Sequence, residues 1–246
     1  MEILNWYLIN IILKLLQHKS LYLIAYLSIS IITCVNCGGP KKAENAISEG
    51  VIDYKTEVIN TSHPLASFAP STATAKIKEN KWILEMSAMG FFNVYFSCDI
   101  NKGTLTEMIK YLDIKNACVE NDSMLKEENN NYLLTFKETK ETKMIAGFKC
   151  KKVIATKVSA PATTFEVYYT PDIGVENSNA LTPYKELKGM LMDYRIVRLG
   201  IEMHFIATGA KKDEIKDSDF EIPSNFKIFT RKEFDAEFDR LFADFY

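Results

Sequence analysis

The sequence predicts a mainly β domain (α+β), a curved antiparallel sheet or half-barrel closed by a C-terminal amphipathic helix. Three observations lead there. Apolar and polar residues alternate over about ten short stretches, the period of half-buried strands. Gly147, Pro161 and other turn-forming residues punctuate the gaps. At the end of the chain the period changes: Phe234, Phe238, Leu241, Phe242 and Phe245 fall at i, i+4, i+7, i+8 and i+11, one apolar stripe of a helix.

The elements follow in order. Residues 51–58 place Ile52, Tyr54 and Val58 on one side. Residues 63–71 hold two prolines and two serines and read as a loop. Residues 72–78 and 81–88 alternate again, with Glu79-Asn80 as the hairpin turn between them. The second of these puts Trp82, Leu84, Met86 and Ala88 on one face. Residues 91–98 are rich in aromatic side chains, which suit a strand. After the turn Asn101-Lys102-Gly103, residues 104–111 fit a strand or a short helix equally.

Residues 121–131 are charged and polar, a loop with one helical turn. Strands are expected at 132–138, 149–157 and 164–170, a loop at 171–189, and two more strands at 190–198 and 201–208. In the last, Ile201, Met203, Phe205 and Ala207 share a face opposite Glu202 and His204. Thr230 is a fair N-cap for the final helix, with Glu233 completing a capping box. The helix would cover the core and help close the sheet.

Composition narrows the function. At 246 residues, 47% hydrophobic and 25% charged, the chain is an ordinary globular one with no internal repeat. A net charge of −2 leaves no electrostatic footprint for nucleic acid.

The N-terminus bears on location. Lys14 and Lys19 precede an uncharged apolar run over residues 21–33 that ends at Cys34. That is the layout of an export signal, too short to be a spanning helix. The junction Ile31-Ile32-Thr33-Cys34 resembles the lipobox of bacterial lipoproteins, whose cysteine carries lipid after cleavage, although Thr33 stands where Gly, Ala or Ser is usual. Cys37 is the alternative lipidation site, and a plain cleaved signal or an uncleaved anchor is the alternative to lipidation. Each of these sends the globular part out of the cytoplasm. The expected organisation is a lipoprotein-type signal peptide over 1–33, a flexible tether over 34–47 and a single β-rich domain over 48–246. The expected location is the cell envelope, outer membrane or periplasm, with the membrane as partner through the N-terminal lipid.

Chemistry is harder to find. There is no Gly-rich phosphate loop, no Gly-x-Ser-x-Gly elbow and no His-Glu-x-x-His helix. Past residue 33 the histidines are His63 and His204, far apart and read as exposed, so no metal site is expected. Asp213, Glu214, Asp217, Asp219 and Glu221 do not match a calcium loop and read as a solvated acidic connector. Cys118 and Cys150 are the favoured disulfide, two buried thiols being the alternative. Lys149 and Lys151 flank Cys150, but neighbours on a strand point to opposite faces and need not lower its pKa. No catalytic residue and no cofactor is assigned, and an enzyme is not expected.

Aromatic side chains are the remaining signal. Trp82, Phe91, Phe92, Tyr95, Phe96, Tyr168 and Tyr169 either pack a core or line an apolar cavity in a curled sheet. For the cavity, the lining set is Trp82, Met86, Phe92, Phe96, Tyr169, Met192 and Phe205, with Met190, Met192 and Met203 adaptable to irregular contents. Asp122-Ser123-Met124 resembles the Asp-Ser/Thr-aliphatic O-glycosylation acceptor of some Gram-negative envelopes.

A family resemblance runs through the centre. Residues 143–153, Lys-Met-Ile-Ala-Gly-Phe-Lys-Cys-Lys-Lys-Val, are similar to the Ile-x-Gly-Tyr-Lys-Cys-x-Lys-Ala strand of uncharacterised bacterial envelope proteins, the GLPGLI family and the related lipoproteins of unknown function. Tyr168-Tyr169-Thr170-Pro171-Asp172-Ile173 matches their Tyr-Thr-x-x-Ile strand end, and the opening residues 49–55 are also similar. Leu181-Thr182-Pro183-Tyr184 and Gly189-Met190-Leu191 stand where the signature of the first family belongs and do not reproduce it. The chain therefore looks closer to the second group. The resemblance covers residues 48–230 and implies a fold like that of lipoprotein carriers such as LolA, without implying a reaction. Two functions are expected from all of this, an envelope protein that binds a lipid or apolar ligand in the concave face of its sheet, or a structural lipoprotein that binds an envelope protein partner; an enzyme using Cys150 or a carboxylate pair ranks last, because no nucleophile has a recognisable base nearby.

Overall fold

The structure is a computed structural model that describes residues 43–158, 162–174, 177–198 and 200–243. The expected signal peptide and both lipidation candidates, Cys34 and Cys37, lie outside these residues. Among these residues the protein is mainly β: one sheet of 12 strands, not closed into a barrel, with two short helices. The strands are β1 (Glu49–Val58), β2 (Thr72–Lys78), β3 (Lys81–Ala88), β4 (Phe92–Asp99), β5 (Thr104–Tyr111), β6 (Ile114–Asn121), β7 (Leu134–Ile145), β8 (Phe148–Lys157), β9 (Thr164–Thr170), β10 (Met190–Arg198), β11 (Ile201–Lys212) and β12 (Lys227–Phe229). The helices are α1 (Asp122–Asn129) and α2 (Arg231–Phe242).

The order across the sheet is β12-β6-β5-β4-β3-β2-β1-β11-β10-β9-β8-β7. Every pairing is antiparallel except β12 on β6, so the sheet is mixed at that edge. Cross-strand partners share a face. One inner row therefore runs Ile52, Ala75, Leu84, Phe96, Glu107, Cys118 over six strands. The free edge is β7, long and mostly exposed, whose Lys, Glu and Thr side chains discourage edge-to-edge pairing.

Two strands escape the alternation rule for the same physical reason. In β6, Asn116, Ala117 and Cys118 are buried in succession, and in β10 five residues from Met190 to Tyr194 are. Strands covered on both faces lose the polar half of their pattern. The outer cover of the β3–β6 region is the segment after β11. Its Phe220, Ile222 and Phe226 pack on Ile83, Met108 and Ala117. Its acidic residues are not simply solvated: Asp219 pairs with Lys76 at 3.3 Å and Asp217 with Lys78 at 3.3 Å.

On the inner face α2 lays Phe234, Phe238 and Phe242 into the core. The Phe242 ring meets Phe92 at 5.4 Å, Tyr111 at 5.5 Å and Phe68 at 5.9 Å. Burying three phenylalanines contributes roughly 1.5–3 kcal/mol each. The helix opens on a full capping box between Thr230 and Glu233. Residues 43–47 already belong to the domain rather than to a tether: Ala43 N–H donates to Asp172 Oδ1, and Ile47 is buried and bridged to Ile173.

Candidate apolar cavity

The site is built where β2 is narrowest. Ala73 and Ala75 stand on the inner face between the larger side chains of β1 and β3, and this leaves room above Ala75. Residues 177–189, in the segment between β9 and β10, cross over that room. The Trp82 Nε1–H donates to Ser178 O at 2.9 Å. The Asn179 side-chain amide donates to Leu187 O at 2.8 Å and Gly189 O at 2.7 Å, folding the segment on itself. Tyr184 is fully buried, donates its hydroxyl to Arg195 O and meets the Phe136 ring at 5.8 Å and the Tyr194 ring at 5.9 Å.

Beneath this strap lies a cavity of about 80 Å³. Trp82, Met86, Phe96, Tyr194, Met203 and Phe205 form much of its wall. Tyr194 and Phe205 stack at 5.0 Å with planes 12° apart, and Tyr54 meets both edge-on. The Tyr54 hydroxyl donates to Leu191 O at 2.9 Å, and burial holds its pKa well above the usual value. Among the described residues, the one charged side chain in the wall is Arg198, whose guanidinium lies 5.7 Å from the Phe96 ring centre.

Of the lining set read from sequence, Trp82, Met86, Phe96 and Phe205 face this cavity. Phe92 does not, because it is covered by Phe242 of α2. Tyr169 and Met192 are buried elsewhere, displaced by a bulge where β10 pairs with β9 between Leu191 and Asp193. Among the other aromatic candidates, Tyr95 packs with the outer cover and Tyr168 donates to Glu166 at 2.9 Å. The strap residues Ser178, Asn179, Thr182 and Tyr184 were invisible as site residues, since a loop's path over a sheet has no periodic signature.

The expected Cys118–Cys150 bridge is absent. Cys98, Cys118 and Cys150 are free, buried thiols. Cys118 lies in β6 and Cys150 in β8, next to opposite edges of the sheet. Burial raises Cys98 to about 12 and both Cys118 and Cys150 to about 11. A buried thiol with its proton held this firmly is a poor nucleophile at neutral pH. Lys149 and Lys151 are exposed while Cys150 is fully buried between them.

Two polar clusters were not read from sequence, because both depend on pairing between strands. His204 and Asp193, on adjacent strands β11 and β10, approach to 2.6 Å, with Lys143 at 4.0 Å from the second carboxylate oxygen. His63 instead accepts from Leu65 N–H at 3.2 Å and caps a short 3-10 turn. No cluster of metal-ligating side chains occurs among the described residues. The second cluster sits on the inner face: Arg231 reaches Glu120 at 2.5 Å and Glu107 at 2.9 Å, both carboxylates almost fully buried. Ser123, of the Asp-Ser-Met triplet, is exposed in the first turn of α1 and bonds Asn121 Oδ1 at 2.6 Å.

An antiparallel β domain with an apolar cavity under a strap is the class that these features define. No protein-family model matches the chain, and no curated protein matches it. A solved structure of PNGF-II is similar, with a TM-score of 0.50 and 18% sequence identity, over 76% of this chain and 32% of that one. At that identity the likeness concerns the fold alone, and this chain spans about a third of the length of that protein.

Proposed function

We propose that this is an exported, lipid-anchored envelope protein that holds an apolar ligand, or the apolar end of a lipid, in a half-barrel that α2 helps to close. It is taken as a relative of the GLPGLI group and the associated lipoproteins. The observation that carries the reading is the cavity: an aromatic and methionine wall, Arg198 at its margin, and a strap that the Trp82 indole and the Tyr184 hydroxyl help to hold. Its size sets a limit. About 80 Å³ is roughly half of the ~150 Å³ apolar cavity that admits benzene. It takes a chain end or a methyl-branched tip, and a longer chain requires the strap to lift.

The test is native mass spectrometry of the protein extracted from its own envelope. The expected result is an adduct of lipid mass that disappears in Ala75→Phe, which fills the cavity. A bare mass in the wild type, with no uptake of an apolar dye sensitive to Ala75→Phe, would reject the reading.

A further inference from the structure

Exposed large apolar side chains are unevenly distributed. Nine are more than a third exposed among the described residues, and five of them, Ile59, Met89, Leu112, Leu133 and Val158, sit at one end of the sheet. The registers define that end: it holds the close of β1, β3, β5 and β8 and the start of β2, β4, β6 and β7. Two hairpin tips project there. Leu112 N–H donates to Phe91 O at 3.1 Å, which joins the β5–β6 tip to the β3–β4 tip. Behind them the Phe91 and Tyr111 rings meet edge-on at 5.9 Å.

Met89 and Leu112 are each 58% exposed, and both adopt left-handed backbone, φ 53° and 52°. Such positions favour Gly, Asn or Asp. Turns at the other end of the sheet show that the geometry does not call for a large apolar side chain. Glu79 and Ala146 hold the same conformation, φ 51° and 49°, in the turns Glu79-Asn80 and Ala146-Gly147. Folding alone therefore gives no reason for methionine and leucine at the two tips.

Charge completes the pattern. Lys110 and Lys115 stand directly opposite one another one step behind the Leu112-Asp113 turn. Opposed like charges destabilise a strand pair, and no ion pair among the described residues involves either lysine. We propose that these two tips dock on an anionic phospholipid surface. Met89 and Leu112 enter the acyl boundary, Phe91 and Tyr111 lie at headgroup level, and Lys110 and Lys115 meet phosphate. An uncharged protein groove would accept the apolar tips but offer the opposed lysines no counter-charge beyond Glu85, Asp219 and Glu221, which border the same outer-face cleft, so charge complementarity selects the lipid. This surface is separate from the cavity and stands whatever the cavity holds.

The test uses the full chain carrying Leu112→Trp, reconstituted in phosphatidylcholine vesicles. These are mixed with equimolar phosphatidylcholine–phosphatidylglycerol vesicles whose acyl chains are brominated. Expected is loss of the emission that Leu112→Trp adds over wild type. That loss is reduced by Lys110→Gln with Lys115→Gln and abolished by Met89→Asp, variants whose circular dichroism stays native. Emission that brominated anionic vesicles leave unchanged overturns the proposal. So does equal quenching by brominated pure phosphatidylcholine vesicles, and so does a tip signal that responds only to a copurifying protein.

Discussion

Arg231 Nη2 lies 2.5 Å from Glu120 Oε2, so the first residue of the last helix is tied to the inner face of β6. The same nitrogen reaches Glu107 of β5 at 2.9 Å, while Nη1 reaches Asp235 at 3.1 Å. Two nearly buried carboxylates thus share one guanidinium, and attraction from both raises the Arg231 pKa despite the opposing cost of burial.

Removing that guanidinium leaves two carboxylates without their cation inside the protein. Arg231→Ala is expected to destabilise the fold by about 3–5 kcal/mol. Replacing all three groups, as Arg231→Met with Glu107→Gln and Glu120→Gln, is expected to cost much less than the single change. Urea denaturation of both variants checks this, and equal losses would mean that the pair does not anchor α2.

The three thiols predict a pH dependence. Their folded pKa values, about 11 to 12, lie above the ordinary thiol value of 9.0. The folded state therefore keeps its protons where the unfolded chain releases them. Their contribution to stability is complete below about pH 8.5 and falls as pH rises toward 11 or 12. The urea midpoint of the wild type should drop more steeply over that range than that of Cys98→Ala. The native thiols at 98, 118 and 150 should also resist alkylation until denaturant is added. Rapid labelling of native protein at Cys150 would show that its burial is not maintained.

The strap should respond to a single atom. Trp82→Phe keeps an aromatic wall but removes the Nε1–H that Ser178 O accepts. A cost of about 1 kcal/mol is expected, together with faster amide exchange over the strap while the β1–β2 pairing stays protected. Uniform loss of protection would place the effect in the whole sheet instead.

Gly50 tests the close approach of β1 and β11. A Cβ there would stand 2.2 Å from Lys211 O and 2.9 Å from Ile47 Cγ2. The first of these is backbone, which cannot rotate away. Gly50→Ala should therefore cost about 2 kcal/mol or more, read by thermal or urea unfolding. A near-neutral result would mean that β11 can shift outward at little cost.

Much of the strand layout was legible because most strands keep one wet face. Trp82, Leu84, Met86 and Ala88 are spaced by two, and they do lie on one face of β3. Where a second layer covers the sheet the signal vanished. Residues 114–121 have no alternation because α2 and the Phe220 segment cover opposite sides of β6. At residues 104–111 the pattern allowed a helix, because Glu107 breaks the apolar face of what is β5. Its salt bridge to Arg231, 124 positions away, accounts for a carboxylate there.

Local periodicity by itself therefore determined that this protein is mainly β, since two-residue alternation is a property of short stretches of chain. Tertiary structure decided the site. Arg198 of β10 comes 5.7 Å from the Phe96 ring of β4 although β3, β2, β1 and β11 lie between those strands in the sheet. On a flat sheet five steps of about 4.8 Å would hold them some 24 Å apart. The curl that closes that gap arises from twist and layer packing summed over many strands. No short run of residues encodes it, and it brings Trp82, Phe96, Arg198 and Phe205 around one cavity.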